Sequence, residues 1–167
     1  MQTIYLITTG GTIEKAYSEQ LGKVLNDESK IAQHLSLLRL PGCDVRVIPV
    51  MNKDSLEMSA EDRARLVAEV EQLLPRGCPI VITHGTDTMV ESGLAIEKAC
   101  AAPPVPVILT GAMSPLGFER SDGLQNLTES LFAARLLEPG VYIVMHGQVF
   151  AAGRARKDRE RGTFVGT

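Results

Sequence analysis

The sequence predicts an α/β fold, a single domain whose mainly parallel sheet carries helices on both faces. Apolar runs of strand length alternate with segments whose apolar residues recur at helical spacing. Three strand-like runs end in glycine with threonine: Thr9-Gly10-Gly11-Thr12, Gly85-Thr86-Asp87-Thr88 and Thr110-Gly111. The chain has 167 residues at 44% hydrophobic content, enough for one core and too few for two ordinary domains.

Ile4-Tyr5-Leu6-Ile7 reads as a buried strand, and Gly10-Gly11 stops it with a tight turn that needs positive φ or close backbone approach. Residues 13–26 hold Lys15, Tyr17, Ser18, Glu19, Gly22 and Lys23 without a period, so a long polar loop placed as a lid is expected. Asp27 then precedes Ile31, Leu35, Leu37 and Leu38 in a first helix closed by Pro41-Gly42. Cys43 to Val50 is the second strand, and Met51-Asn52-Lys53-Asp54-Ser55 the loop after it.

Ser59 with Asp62 three residues later resembles a capping box, and Leu66, Val67, Val70, Leu73 and Leu74 continue the helix to Pro75 and Gly77. Pro79-Ile80-Val81-Ile82 is a third strand, followed by a helix from about Met89 to Ala101. Val105 to Leu109 is the fourth, and Ser121-Asp122 caps a helix through Leu124, Leu127, Leu131, Phe132 and Leu136 that Pro139-Gly140 closes. Val141 to Met145 is the fifth, with Gln148 to Ala151 its hairpin partner. Parallel strands place the three Gly-Thr ends at one edge, where open α/β sheets bind ligands.

A net charge of −3 and a pI near 5.6 argue against nucleic acid or an anionic membrane as partner. No stretch approaches the roughly 18 apolar residues of a membrane span, and the N-terminus lacks a secretory pattern, so a cytoplasmic location is expected. Cys43, Cys78 and Cys100 are odd in number and lack metal-type spacing; buried free thiols are expected, with no metal and no cofactor.

Chemistry has to be weighed against plainer roles. Thr12 alone is a turn hydroxyl; it attacks a carbonyl only if a base takes its proton and donors stabilise the oxyanion, a task suited to the N–H groups of a glycine turn. His84 sits at the inner end of a strand, where a hydrogen-bonded structural histidine is the favoured role. Asp87 is the better participant, its plain alternative being an N-cap for the third helix. The stretch Arg154 to Arg161 reads as a surface turn, as a nucleic-acid or phosphate patch, or as the source of one lysine reaching Asp87; interleaved Asp158 and Glu160 weaken the patch. A partly buried lysine held by a carboxylate works as a base in Ser-Lys variants of the catalytic triad.

Thr9-Gly10-Gly11-Thr12-Ile13 and His84-Gly85-Thr86-Asp87-Thr88-Met89 resemble the two signature motifs of the bacterial-type L-asparaginases, and Thr110-Gly111-Ala112-Met113 and Ser121-Asp122-Gly123 resemble further family segments in the expected order. The resemblance covers essentially the whole chain and corresponds to the family's larger N-terminal domain, flavodoxin-like in fold. Typical members are about twice as long and add a smaller C-terminal domain, so the expectation is a short single-domain form over 1–167.

The resemblance implies hydrolysis of asparagine by an acyl-enzyme mechanism without metal or cofactor. It assigns Thr12 as nucleophile, and Thr86, Asp87 and Lys157 as second threonine, acid and lysine. Tyr17, the only tyrosine in residues 13–26, matches the lid tyrosine that assists the first threonine. Ser55 matches a serine that holds the substrate's α-carboxylate, and Gly11, Thr86 and Asp87 complete the substrate-binding set. Leu56 stands where a glutamine is expected. A homo-oligomer is expected, because the absent domain would otherwise leave apolar surface open. Two other classes are a non-catalytic small-ligand binder and an amidase-like component of a tRNA amidotransferase; low basic content disfavours direct tRNA binding.

Overall fold

A computed structural model describes residues 1–27 and 29–167. Strand β1 (Gln2–Gly10) leads through a 3₁₀ turn at Thr12–Glu14 into β2 (Ala16–Ser18) and β3 (Lys23–Leu25). There follow α1 (Ile31–Leu35), β4 (Cys43–Lys53), α2 (Ala60–Leu73), β5 (Ile80–Thr83), α3 (Met89–Ala99), β6 (Pro106–Thr110) and α4 (Gly123–Ala133). The chain ends with β7 (Gly140–Met145), β8 (Gln148–Ala151), β9 (Ala155–Asp158) and β10 (Thr163–Gly166).

Six strands form one sheet in the order β4-β1-β5-β6-β7-β8. The first five pair in parallel, and β8 returns antiparallel on β7. Side chains alternate across the sheet, so its strands are apolar on both faces. Ile7, Ile82 and Leu109 pack with Leu66, Val70 and Ile96 of α2 and α3. Their neighbours Leu6, Val81 and Ile108 pack with Ile31 of α1 and Leu127 and Leu131 of α4. Each face thus buries one helix pair. Among the described residues no helix is long and apolar enough to cross a membrane.

The order reverses between β1 and β5: β4 lies on one side of β1, and all later strands lie on the other. Flavodoxin-like doubly wound sheets show this arrangement, and the crevice beyond the strand ends at the reversal is where ligands lie.

Ser59 caps α2 as expected: its Oγ accepts from the Asp62 N–H at 3.1 Å, and Asp62 Oδ2 accepts from the Ser59 N–H at 2.9 Å.

Several local expectations are corrected. Residues 13–26 are not an unstructured loop; Ala16–Ser18 pairs antiparallel with Lys23–Leu25, in strands of three residues each, too short for a period to register. The first helix stops at Leu35, leaving Leu37 exposed. β4 runs on through Lys53, because Gly10 pairs with Lys53 after a register shift. Asp122 occupies the N-cap position of α4 without capping through its side chain. All three cysteines are free, yet only Cys100 is buried; Cys43 and Cys78 are part-exposed.

Candidate active site

At the reversal, three strand ends touch. Gly10 and Gly11 have φ of 96° and 76°, a conformation L side chains rarely adopt. A Cβ on Gly11 would collide with the backbone of Gly85, and one on Gly85 with the side chain of Ser55. The turns bearing Thr12, Ser55 and Thr86 are therefore in close contact. The N–H of Gly10 donates to Glu14 Oε2 at 2.7 Å and that of Gly11 to the Lys53 carbonyl at 2.7 Å. Both glycine N–H groups are thus committed inside the fold, which corrects their reading as oxyanion donors.

Lys157 comes from β9, a strand outside the main sheet, and its Nζ donates to Thr86 Oγ1 at 2.7 Å and Asp87 Oδ1 at 2.9 Å. The Lys157 and Asp87 side chains are 18% and 21% exposed, so the pair is well shielded from water. Arg159 also approaches Asp87 Oδ1, at 2.7 Å, from an exposed position. The lysine reading of the charged stretch is the one this geometry matches. Asp87 faces these cations, and α3 begins after Thr88 with no side-chain cap.

Ser55 is 2% exposed, and its Oγ has no hydrogen-bond partner among the described residues. An orphaned buried hydroxyl against Gly85 is the kind of group a polar ligand satisfies. Thr88 Oγ1 donates to the Ser55 carbonyl at 3.0 Å, and Asp54 beside it holds Lys15 Nζ at 2.6 Å. The Lys15 pair and the Leu56 N–H hold the Asp54 carboxyl below the usual range. Leu56 is exposed.

His84 is buried, with Nδ1 2.8 Å from the Gly85 carbonyl and Nε2 2.8 Å from Ser92 Oγ. A carbonyl only accepts, so Nδ1 carries the proton and Nε2 accepts from Ser92. Burial pushes its pKa down to about 4, and the ring supports the β5 turn from behind.

Tyr17 lies on β2, 59% exposed, and makes no side-chain bond to Thr12. The structure thus brings Gly11, Ser55, Thr86, Asp87 and Lys157 together with Thr12 beside them, and leaves Tyr17 outside.

Residues unmarked by the sequence also shape the site. Glu14 is buried, and its Oε2 accepts from Gly10 and from Thr83 Oγ1 at 3.2 Å, bracing the turn that carries Thr12; burial pushes its carboxyl above the ordinary value. Asn26 Nδ2 donates to the Gly11 carbonyl at 2.8 Å. Glu14 directly follows Thr12-Ile13, and that adjacency was its only signal.

Residues 3–163 match the family model described as "Asparaginase, N-terminal". The chain belongs to the asparaginase N-terminal family. Thermococcus kodakarensis L-asparaginase is 31% identical to this asparaginase-family chain over 159 residues, covering 95% of the chain and 48% of the relative. Its solved thermostable structure superposes with a TM-score of 0.90 at 30% identity, over 99% of this chain and 51% of that one. A glutamyl-tRNA(Gln) amidotransferase subunit of Methanococcus vannielii is 28% identical over 155 residues, 89% of this chain and 35% of that protein. The chain spans about half the length, or less, of the curated relatives it matches. Its asparaginase-type fold accounts for the parallel sheet and for the contact among the β1, β4 and β5 ends.

Proposed function

We propose that the chain is an amidohydrolase that converts L-asparagine to L-aspartate and ammonia through an acyl-enzyme on Thr12. The observation that carries this reading is Lys157 Nζ seated between Thr86 Oγ1 and Asp87 Oδ1, next to the Gly11 turn. The threonine hydroxyl attacks the side-chain amide carbon, the C–N bond breaks, and the hydroxyl proton passes to the departing nitrogen, which leaves as ammonia. Water then attacks the ester carbon, the bond to the Thr12 oxygen breaks, and water's proton passes by way of the Thr86 hydroxyl, which Lys157 holds in place, to the Thr12 oxygen. Asp87 keeps Lys157 oriented and offers negative charge to the substrate's α-ammonium group. The free Ser55 hydroxyl suits the α-carboxylate.

With Gly10 and Gly11 N–H engaged, oxyanion donors come from further along the β1 turn, starting at Thr12, or from the β5 turn. This route uses neither metal nor cofactor. Leu56, exposed where the resemblance expects a glutamine, offers the substrate no hydrogen bond, so a Michaelis constant in the millimolar range follows.

A second reading, an amidase-like component of a tRNA amidotransferase, is favoured by the likeness to the Methanococcus vannielii protein. Ammonia release from asparagine by the purified chain, abolished in Thr12→Val, separates the two. A homo-oligomer and a cytoplasmic location belong to the same proposal. Exposed Phe132, Leu136 and Val149 support association, and light scattering showing an active monomer would refute it.

A further inference from the structure

We propose that His146 is a positioning residue for Lys157, holding the β9–β10 hairpin at the distance at which the lysine meets Thr86 and Asp87. The inference rests on reading Lys157 as part of the catalytic set.

Among the described residues, Lys157 lies on a strand that pairs only with β10 and not with the main sheet. Something else must fix that hairpin. Phe164, opposite Lys157, and Ala155 of β9 are buried in the core and anchor the hairpin by apolar contact, which is non-directional and fixes its tilt less tightly than a hydrogen bond does. The adjacent Thr163, opposite Asp158, supplies the directional contact: its Oγ1 lies 2.7 Å from His146 Nδ1.

The other side of the ring is fixed equally firmly. His146 Nε2 lies 2.7 Å from Asp122 Oδ2, and the His146 N–H donates to Asn126 Oδ1 at 3.0 Å. Asp122 is itself tied to the β6 strand end by the N–H groups of Met113 and Ser114 at 3.0 and 2.9 Å, and it accepts from Asn126 Nδ2 of α4 at 2.9 Å. Although burial pushes its carboxyl up, the Met113, His146 and Ser114 donors outweigh this and leave it below the usual range. A continuous path therefore runs from the β6 turn through Asp122, His146 and Thr163 to the hairpin bearing Lys157.

The backbone at this point narrows the choice of residue. His146 and Gly147 have φ of 52° and 73° and form the two-residue turn between β7 and β8, where Asn, Asp or Gly fit best. The imidazole's two 2.7 Å contacts are the compensating gain. Asn at this position would keep the turn and lose the bridge, because its side chain is too short to span both partners.

The test uses His146→Asn and the near-isosteric Thr163→Val, each with folding checked by circular dichroism. In ¹⁵N-lysine protein the Lys157 ammonium resonance, assigned with Lys157→Met, should be visible in the parent and exchange-broadened in both variants. Turnover of asparagine should fall about 10- to 100-fold with the Michaelis constant within threefold, and the double variant should lose no more than the worse single one. An unchanged Lys157 resonance in the folded variants overturns the proposal whatever the kinetics show. A parent that releases no ammonia overturns the asparaginase reading instead, and the resonance still decides the role of His146. Thr163→Val alone suffices if His146→Asn does not fold.

Discussion

Lys157 Nζ and Thr86 Oγ1 lie 2.7 Å apart although 71 positions separate them in the chain. The ammonium also meets Asp87 where both side chains are part-buried, and charge-assisted bonds there are strong. Lys157→Met should lower kcat on asparagine by at least about 10²-fold, as expected for loss of a proton-transfer group. Steady-state ammonia assays with circular dichroism as a folding control check this.

Thr12→Val and Thr86→Val delete one hydroxyl each at nearly constant shape. Each should lower kcat on the order of 10²-fold or more. Only Thr12→Val should also abolish the aspartyl-enzyme seen by intact-protein mass spectrometry after acid quench. Near-parent turnover in both folded variants would contradict the proposed roles.

Gly11→Ala should be costly for a different reason. The added Cβ meets the Gly85 backbone, which has no flexible side chain to move aside, at a φ of 76°. Strain and overpacking together predict a loss of about 3 kcal/mol, read as a lower urea midpoint. Gly22→Ala also sits at positive φ but meets nothing within 4 Å, and should cost about 1 kcal/mol.

Stability should fall between about pH 6.5 and pH 4 through His84. Its folded pKa of about 4 lies below the ordinary 6.5, so in that window the unfolded chain binds a proton that the folded chain refuses. Stability thus rises with pH, by about 3 kcal/mol across the window from this residue. Glu14 acts oppositely: its raised carboxyl keeps a proton that the unfolded chain loses above 4.5, so its contribution declines as pH rises. Comparing urea midpoints at pH 7 and pH 5 in the parent and His84→Gln isolates the histidine, and the variant should show the smaller loss on acidification.

The β2–β3 hairpin is the remaining candidate for closure over the site. Its strands are three residues each, and Tyr17 projects into solvent. Such a hairpin orders cheaply against a ligand. Aspartate at saturation should slow amide hydrogen exchange across residues 13–26, and Tyr17→Phe should lower kcat more than it raises the Michaelis constant. Unchanged exchange would remove the lid role.

The sheet, its four helices and the edge that carries the candidate site were legible in the sequence, because each depends on neighbouring residues, although α1 is shorter than its spacing suggested. Strands such as Ile80-Val81-Ile82 are apolar on both faces, and α2 carries its own start signal in Ser59 and Asp62. Once the strands are parallel, their Gly-Thr ends must share an edge. The β2–β3 hairpin was not legible, since three-residue strands hold no period.

What lies across the crevice was settled by long-range packing alone. Insertion of Phe164 into the core brings a charged stretch back over β5, so that Lys157 reaches Asp87 and the surface-turn reading fails. Burial of Glu14 and the turning of Asp122 from helix cap to strand-end anchor are likewise consequences of contacts distant in sequence. The reason is physical: strand and turn preferences act over a few residues, whereas a side chain's partners are chosen by whichever polar groups packing leaves beside it.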